Sequence, residues 1–379
     1  MKLFIEKALK LYDEGMTSRS AIAKELHNEY GRGRQHDTFR KVIAKAIAKH
    51  RGQGKAGRIP IDSMKVTGRS TLKDSKGNLV MEWTKTSIDK EQQALAMKAA
   101  IESMKEEITP TKPIALIKNE RSPLLCNQYT LTDYHLGMYA WSDESGEDWD
   151  SKTAEELLVN WFEEAIRLSP NAKQAIFAQI GDFMHFDGMS PVTPASKHVL
   201  DADVRYPQLV RMAIRVMRRI INMLLVKYES VHVIQAEGNH DPASSVWLRE
   251  MFHAFYENEP RVNIDNNPDP YYHFQWGKNC LFYHHSHIKN LKSLDTVFVS
   301  KFKKEFGTSE HVYAHTGHFH HEKMIETNLM ILEQHPTLSA KDAYASRGGY
   351  SSKRAAKIIT YHKEHGEVGR NTLSPEMIK

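Results

Sequence analysis

Five apolar runs along this 379-residue chain stop at clusters of carboxylate, amide and imidazole side chains. LLCNQYTLT is followed by Asp133 and His135. QAIFAQI leads to Asp182, with His185 and Asp187 behind it, and VHVIQA leads to Asn239, His240 and Asp241. CLFYHH runs into His284, His285 and His287, and HVYAHT supplies His315 and precedes His318, His320 and His321. Gly stands beside four of the five clusters, where it lets the backbone turn tightly. Taken singly, an Asp after a strand is a turn or helix cap, and a lone His is a hydrogen-bonded core residue. Five such clusters in succession point to one shared site. A mixed oxygen and nitrogen set without a thiolate suits divalent first-row metals. Seven ligands with one carboxylate placed to bridge make the inventory of a two-metal centre.

The elements that must position these groups alternate. EELLVNWFEEAIRL, DVRYPQLVRMAIRVMRRIINMLLVKY and WLREMFHAFYEN carry helical apolar periodicity, and they lie between the short apolar strands. Alternation of this kind predicts a layered α/β domain, whose ligands gather beyond the carboxyl ends of the strands. The tail, with KIITYH, is expected to complete a sheet.

The order D-x-H, G-D-x-x, G-N-H-D, H and G-H-x-H over roughly residues 125 to 365 resembles the calcineurin-like metallophosphoesterases. The resemblance implies a metallophosphoesterase fold: α/β, two packed mixed β-sheets flanked by helices, with a dinuclear metal centre. It further implies that Asp133, His135 and His320 hold one ion and that Asn239, His285 and His318 hold the other. Asp182 would bridge the two. The ions would be manganese first, with iron, nickel or zinc as alternatives. The implied reaction is in-line attack of a metal-bridging hydroxide on a phosphate ester. His240, beside a ligand but held off the metal, is the candidate acid for the leaving group. Asp241 either orients His240 or its loop, or caps the turn. Where the family has His followed by Gly, this chain has His-His-Ser-His. Aligning Ser286 with that Gly makes His285 the ligand and leaves His284 as the alternative. His185 stands where the protein phosphatases of the superfamily have Asp, which argues against that activity. A G-D-x-x-H form is instead similar to double-strand-break repair nucleases, and His185 is expected behind the ligands, orienting the bridging carboxylate, or as an ordinary buried His.

Charge is uneven along the chain. Residues 1 to 70 hold 16 Lys and Arg against 7 Asp and Glu, a balance of +9; the whole chain is +5, so the remainder carries −4. Residues 1–50 read as three short helices, the third carrying Lys41, Lys45 and Lys49 on its outer face, with Arg34 and Arg40 nearby. They resemble a small all-α helix-turn-helix nucleic-acid-binding domain. The layout also resembles phage-encoded metallophosphoesterases with such an N-terminal domain. RGQGKAGRIP opens a basic linker over 51–67, and 68–122 reads as a β-hairpin plus a helix. The catalytic domain is expected over 123–379. Two cysteines make no disulfide framework, and no apolar run reaches the length of a bilayer span. A soluble cytoplasmic protein follows as the expectation, in the host cytoplasm if phage-encoded.

Together these signs predict a metal-dependent phosphodiesterase with DNA as its partner, a nuclease first. The alternative is a phosphomonoesterase or small-nucleotide phosphodiesterase whose N-terminal domain makes protein contacts. Oligomeric state is not legible.

Overall fold

The computed structural model describes residues 64–73, 79–88, 98, 101–102, 114–117 and 119–378. The chain divides into Met1–Arg58 and Ile59–Lys379, and the described residues fall in the second unit. Arg34, Arg40, Lys41, Lys45 and Lys49, and with them the helix-turn-helix expectation, lie outside the described residues.

The first described elements are β1 (Met64–Lys73) and β2 (Leu79–Ile88), an antiparallel pair. β1 begins inside the stretch read as linker.

Two mixed sheets follow. The first has six strands in the order β13-β12-β3-β4-β5-β6. Its members β3 (Ser122–Leu131), β4 (Ala172–Ile180), β5 (Ser230–Ala236) and β6 (Val262–Ile264) are parallel. β12 (Ala356–His362) and β13 (Gly366–Leu373) extend it in antiparallel fashion, so the tail does complete a sheet. The second sheet has five strands in the order β10-β11-β9-β8-β7. In it β8 (Asn279–His284), β9 (His311–Thr316) and β11 (Ile331–Gln334) are parallel, and β7 (Tyr272–Trp276) and β10 (Lys323–Glu326) form antiparallel edges.

Helices cover the outer faces. A short turn of helix, α1 (Ser142–Ser145), precedes α2 (Ser151–Leu168), which Asp150 caps by accepting from the Thr153 amide at 2.8 Å. α3 (Tyr206–Lys227) starts three residues later than its periodicity suggests, with Pro207 in its first turn, where a missing N–H costs nothing. α4 (Pro242–Phe255) starts five residues earlier than expected, directly after Asp241. α2 buries Leu158, Trp161, Phe162 and Ala165, and α3 buries Leu209, Ala213, Val216, Met217 and Ile220. This helical spacing of apolar residues fixes which face meets the first sheet. On the far side α5 (Leu294–Lys301) packs Leu294 and Phe298 against Phe282 and Leu332 of the second sheet, followed by the short α6 (Lys303–Gly307). Between the sheets Ile176, Ala178, Ile234, Leu281, Tyr283 and Ile359 form a third core. The layering is therefore helix, sheet, sheet, helix, as expected. No described helix is long and apolar enough to cross a membrane.

The arginine row of α3 is answered by α2. Arg215 pairs with Glu155 and Arg219 with Glu163 at 3.2 Å, while Arg218 lies over the Phe255 ring.

Candidate metal centre

Parallel neighbours end side by side, so β3, β4 and β5 deliver Asp133, Asp182 and Asn239 to one edge of the first sheet. β8 and β9, also parallel, deliver His285 and His318 from the second sheet. Packing of the two sheets brings these ends together. Three groups of possible ligand atoms result, each with its atoms within 4.8 Å: Asp133, His135 and His320; Asp182, His285 and His318; and His135, His185 and His240.

The backbone is strained at this edge. Among the described residues seven non-glycine positions have positive φ, and five are Asp133 (51°), His135 (49°), Asp182 (52°), His318 (76°) and His320 (55°). Left-handed backbone at non-glycine residues is uncommon and clusters where side chains must be aimed for function. Two glycines allow the close approach. A Cβ on Gly238 would overlap the Asp182 carboxylate, and one on Gly317 would overlap Thr132 Oγ1 and the Asp133 carboxylate.

Each carboxylate is held by one set of bonds and left open on another. Asp133 Oδ2 accepts from Thr132 Oγ1 at 2.6 Å and from the His318 amide at 2.8 Å. Its carbonyl accepts from Thr337 Oγ1 and Ser339 Oγ. Oδ1 is buried without a hydrogen bond, 3.2 Å from His320 Nε2 and 3.8 Å from His285 Nε2. Asp182 Oδ1 accepts from the His240 amide at 2.8 Å, and its Oδ2 lies 3.1 Å from His285 Nε2. His285 Nδ1 donates to the Ile180 carbonyl at 2.7 Å, which aims Nε2 at both carboxylates. Asn239 Oδ1 is buried and unbonded. His135 Nε2 and His320 Nε2 face each other at 3.3 Å.

This donor set fits divalent cations. A buried acceptor without a donor is costly, and here Asp133 Oδ1 meets imidazole nitrogens of His320 and His285 while Asn239 Oδ1, at the end of the neighbouring strand, is also left without a donor. The electrostatics agree. Burial alone would raise the Asp133 and Asp182 carboxyls, yet the imidazoles of His320, His285 and His240 hold both well below the usual carboxylate range. Burial would lower His285, but Asp182 and Asp133 push it up to about 10. The two buried carboxylates thus draw positive charge into the site.

The structure separates His284 from His285. His284, the last residue of β8, turns to the opposite face, stacks on Tyr271 at 4.4 Å and accepts from the Ser286 amide; burial pushes it down to about 3. His287, which sequence reasoning noted without a role, sits beside the site, its ring 5.4 Å from His285 and 6.4 Å from His318. His315 points between the sheets, bonded to His335 and to Tyr361 of β12, and His321 bends back to the Phe319 carbonyl.

His240 lies against His135, ring centres 4.5 Å apart, and its Nδ1 donates to the His185 carbonyl at 2.8 Å. Asp241 does not touch that ring. It is wholly buried and accepts from the Met184 amide at 2.9 Å and the Gly238 amide at 3.2 Å, so it holds the loop; burial and the nearby Asp182 push it up to about 7. Asp187 caps α4 through the Ala243 and Ser244 amides. His185 departs from the expectation that it orients the Asp182 carboxylate. The bonds to that carboxylate come from His240 and His285, and the His185 ring packs on His135 and His240, with its own proton uptake depressed by burial. Arg347 and Arg354 are bonded to Glu144 and Glu147.

A fourth group of possible ligands, His315, Glu333 and His335, has a different character. Glu333 already accepts from Lys357 Nζ at 2.6 Å and from both Arg370 terminal nitrogens, so cationic side chains neutralise it.

No protein-family profile matches this chain, and no curated protein does. Solved structures with some likeness include a predicted phosphoesterase of Streptococcus pneumoniae, 8% identical over 66% of this chain and 98% of its own, TM-score 0.29. Vacuolar protein sorting 29 of Cryptosporidium parvum is 12% identical over 66% and 99%, TM-score 0.32. The Entamoeba histolytica Vps29 complexed with zinc is 9% identical over 66% and 99%, TM-score 0.29. At these scores the likeness is weak, and the chemistry of the site is read from its own residues.

Proposed function

We propose that this chain is a divalent-metal-dependent phosphodiesterase whose substrate is nucleic acid, DNA first. The observation that carries the reading is the meeting of Asp133, His135, Asp182, Asn239, His285, His318 and His320 at one strained edge, with buried oxygen acceptors left unbonded. Asp133, His135 and His320 would hold one ion, Asn239, His285 and His318 the other, with Asp182 between them. Two bound ions would supply charge neutralisation on the phosphate and an activated water at neutral pH. Manganese is the first candidate, because carboxylate, amide and imidazole donors without thiolate suit it.

The chain's own groups would do the rest. The His240 Nδ1–H is held by the His185 carbonyl, which leaves Nε2 as the nitrogen from which its imidazolium form would give a proton to the leaving oxygen. Asp241 keeps the Gly238–Asn239–His240 turn in register through the loop amides. The basic balance of residues 1 to 70 supports a polyanion as partner, with Arg34, Arg40, Lys41, Lys45 and Lys49 as its contacts.

The test is a Mn²⁺-supplemented assay on labelled single- and double-stranded DNA beside bis-p-nitrophenyl phosphate, with Asp182→Ala as control. DNA cleavage lost in the variant is the expected outcome. Hydrolysis of the small diester alone would move the substrate to a smaller phosphate ester, and hydrolysis that persists in Asp182→Ala would overturn the site.

A further inference from the structure

The loop after β9 reads Gly-His-Phe-His, and its two imidazoles turn inward from left-handed backbone at His318 and His320. That geometry sends the residue between them the other way. Phe319 is 47% exposed, a large apolar ring left in solvent beside the two ligand groups. Its ring is edge-on to His318, centres 4.8 Å apart and planes at 69°, and lies 6.2 Å from the His321 ring. No core needs it there, since the hydrophobic clusters of both sheets close without it.

We propose that Phe319 is a stacking platform for a nucleobase of the ester whose phosphate lies among the ligands, which makes it a specificity-determining residue of the site. The inference rests on the phosphodiesterase reading and deepens it by naming the residue that would meet the base. Every base has a flat π face, so a single exposed aromatic ring accepts all of them, and such stacks discriminate for a base without reading its identity. Adjacency matters here: Phe319 is joined through one peptide bond to His318 and through another to His320, so the stacked group would be the one attached directly to the bound phosphate. Aromatic rings of Tyr and Trp are also used this way, which supplies the conservative variant.

The test is calorimetric binding to the Mn²⁺-loaded full chain of two ligands with the same phosphate, deoxyadenylate and deoxyribose phosphate. Wild type should prefer the nucleotide. Phe319→Ala should weaken deoxyadenylate about tenfold or more, in the range of a base–aromatic stack, and leave deoxyribose phosphate within about twofold. Phe319→Trp should restore the preference. An unchanged preference in Phe319→Ala, or equal loss for both ligands, would overturn the platform while leaving the metal site standing. Absence of binding by either ligand to wild type would instead remove the phosphoesterase reading, and the platform with it.

Discussion

Lys357 of β12 donates to Glu333 of β11 at 2.6 Å, across the gap between the two sheets, with both side chains almost fully buried. Arg370 of β13 reaches the same carboxylate, and Lys357 also donates to Glu322, two residues beyond His320. The network therefore ties the sheets together next to the ligand loop. Because Arg370 remains when Lys357 is removed, the two partners should not cost the same. Glu333→Gln leaves a buried ammonium short of its main partner and should destabilise by about 3–5 kcal/mol, the usual penalty for breaking a buried pair. Lys357→Met should cost clearly less. Urea unfolding of both variants decides this; equal losses would refute the assignment.

The same network predicts acid sensitivity. Burial holds His335 down to about 4 against an ordinary 6.5, even though Glu333 pulls the other way. An unfolded chain takes up that proton as the pH falls through 6.5, whereas the folded chain resists until about 4. Unfolding is therefore favoured progressively across that window, and this contribution is fully absent above it. Melting temperatures measured from pH 7 down to 4 should fall more steeply for wild type than for His335→Gln, in which nothing titrates at that position.

Metal should stabilise the fold. An ion present at a hundred times its dissociation constant adds about 2.7 kcal/mol, so Mn²⁺ should raise the melting temperature by several degrees and a chelator should reverse it. Asp182→Ala and Gly238→Ala should both abolish the shift. The second removes no ligand, but its methyl would displace the Asp182 carboxylate. A full metal-induced shift in Gly238→Ala would show that the carboxylate is not where the ions bind.

His240→Ala should preserve that metal-induced shift, since its ring is not among the seven proposed ligands. Its effect should depend on the leaving group. For an alkoxide, which needs a proton, kcat should fall by about a hundredfold or more, as for loss of a general acid. For p-nitrophenolate, a good leaving group without a proton, the fall should be much smaller. Equal losses on both ester types would assign His240 to binding instead.

Much of the first sheet was legible because β3, β4 and β5 are apolar and run abruptly into Thr-Asp, Gly-Asp and Gly-Asn. The edge strands were not: β10 reads Lys-Met-Ile-Glu and is largely exposed, and β6 has three residues, so neither carries an apolar pattern. Types and order of the candidate ligands could be read from the chain, but the choice between His284 and His285 needed the pleat of β8. The choice among the roles open to Asp241 likewise needed the fold, because its partners are backbone amides of Met184 and Gly238, one of them 57 residues away. Positive φ at five of the seven candidate ligands leaves no trace in residue type, since none of the five is glycine.

Each proposed ion would take donors from both sheets: Asp133 and His135 with His320, and Asn239 with His285 and His318. Neither sheet alone offers a complete coordination shell. An ion would then discriminate between a chain whose sheets have docked in register and one whose sheets have not, binding the first and neglecting the second. Activity and correct assembly would be checked by the same event, and a cell short of the metal would accumulate protein that is both inactive and easier to unfold.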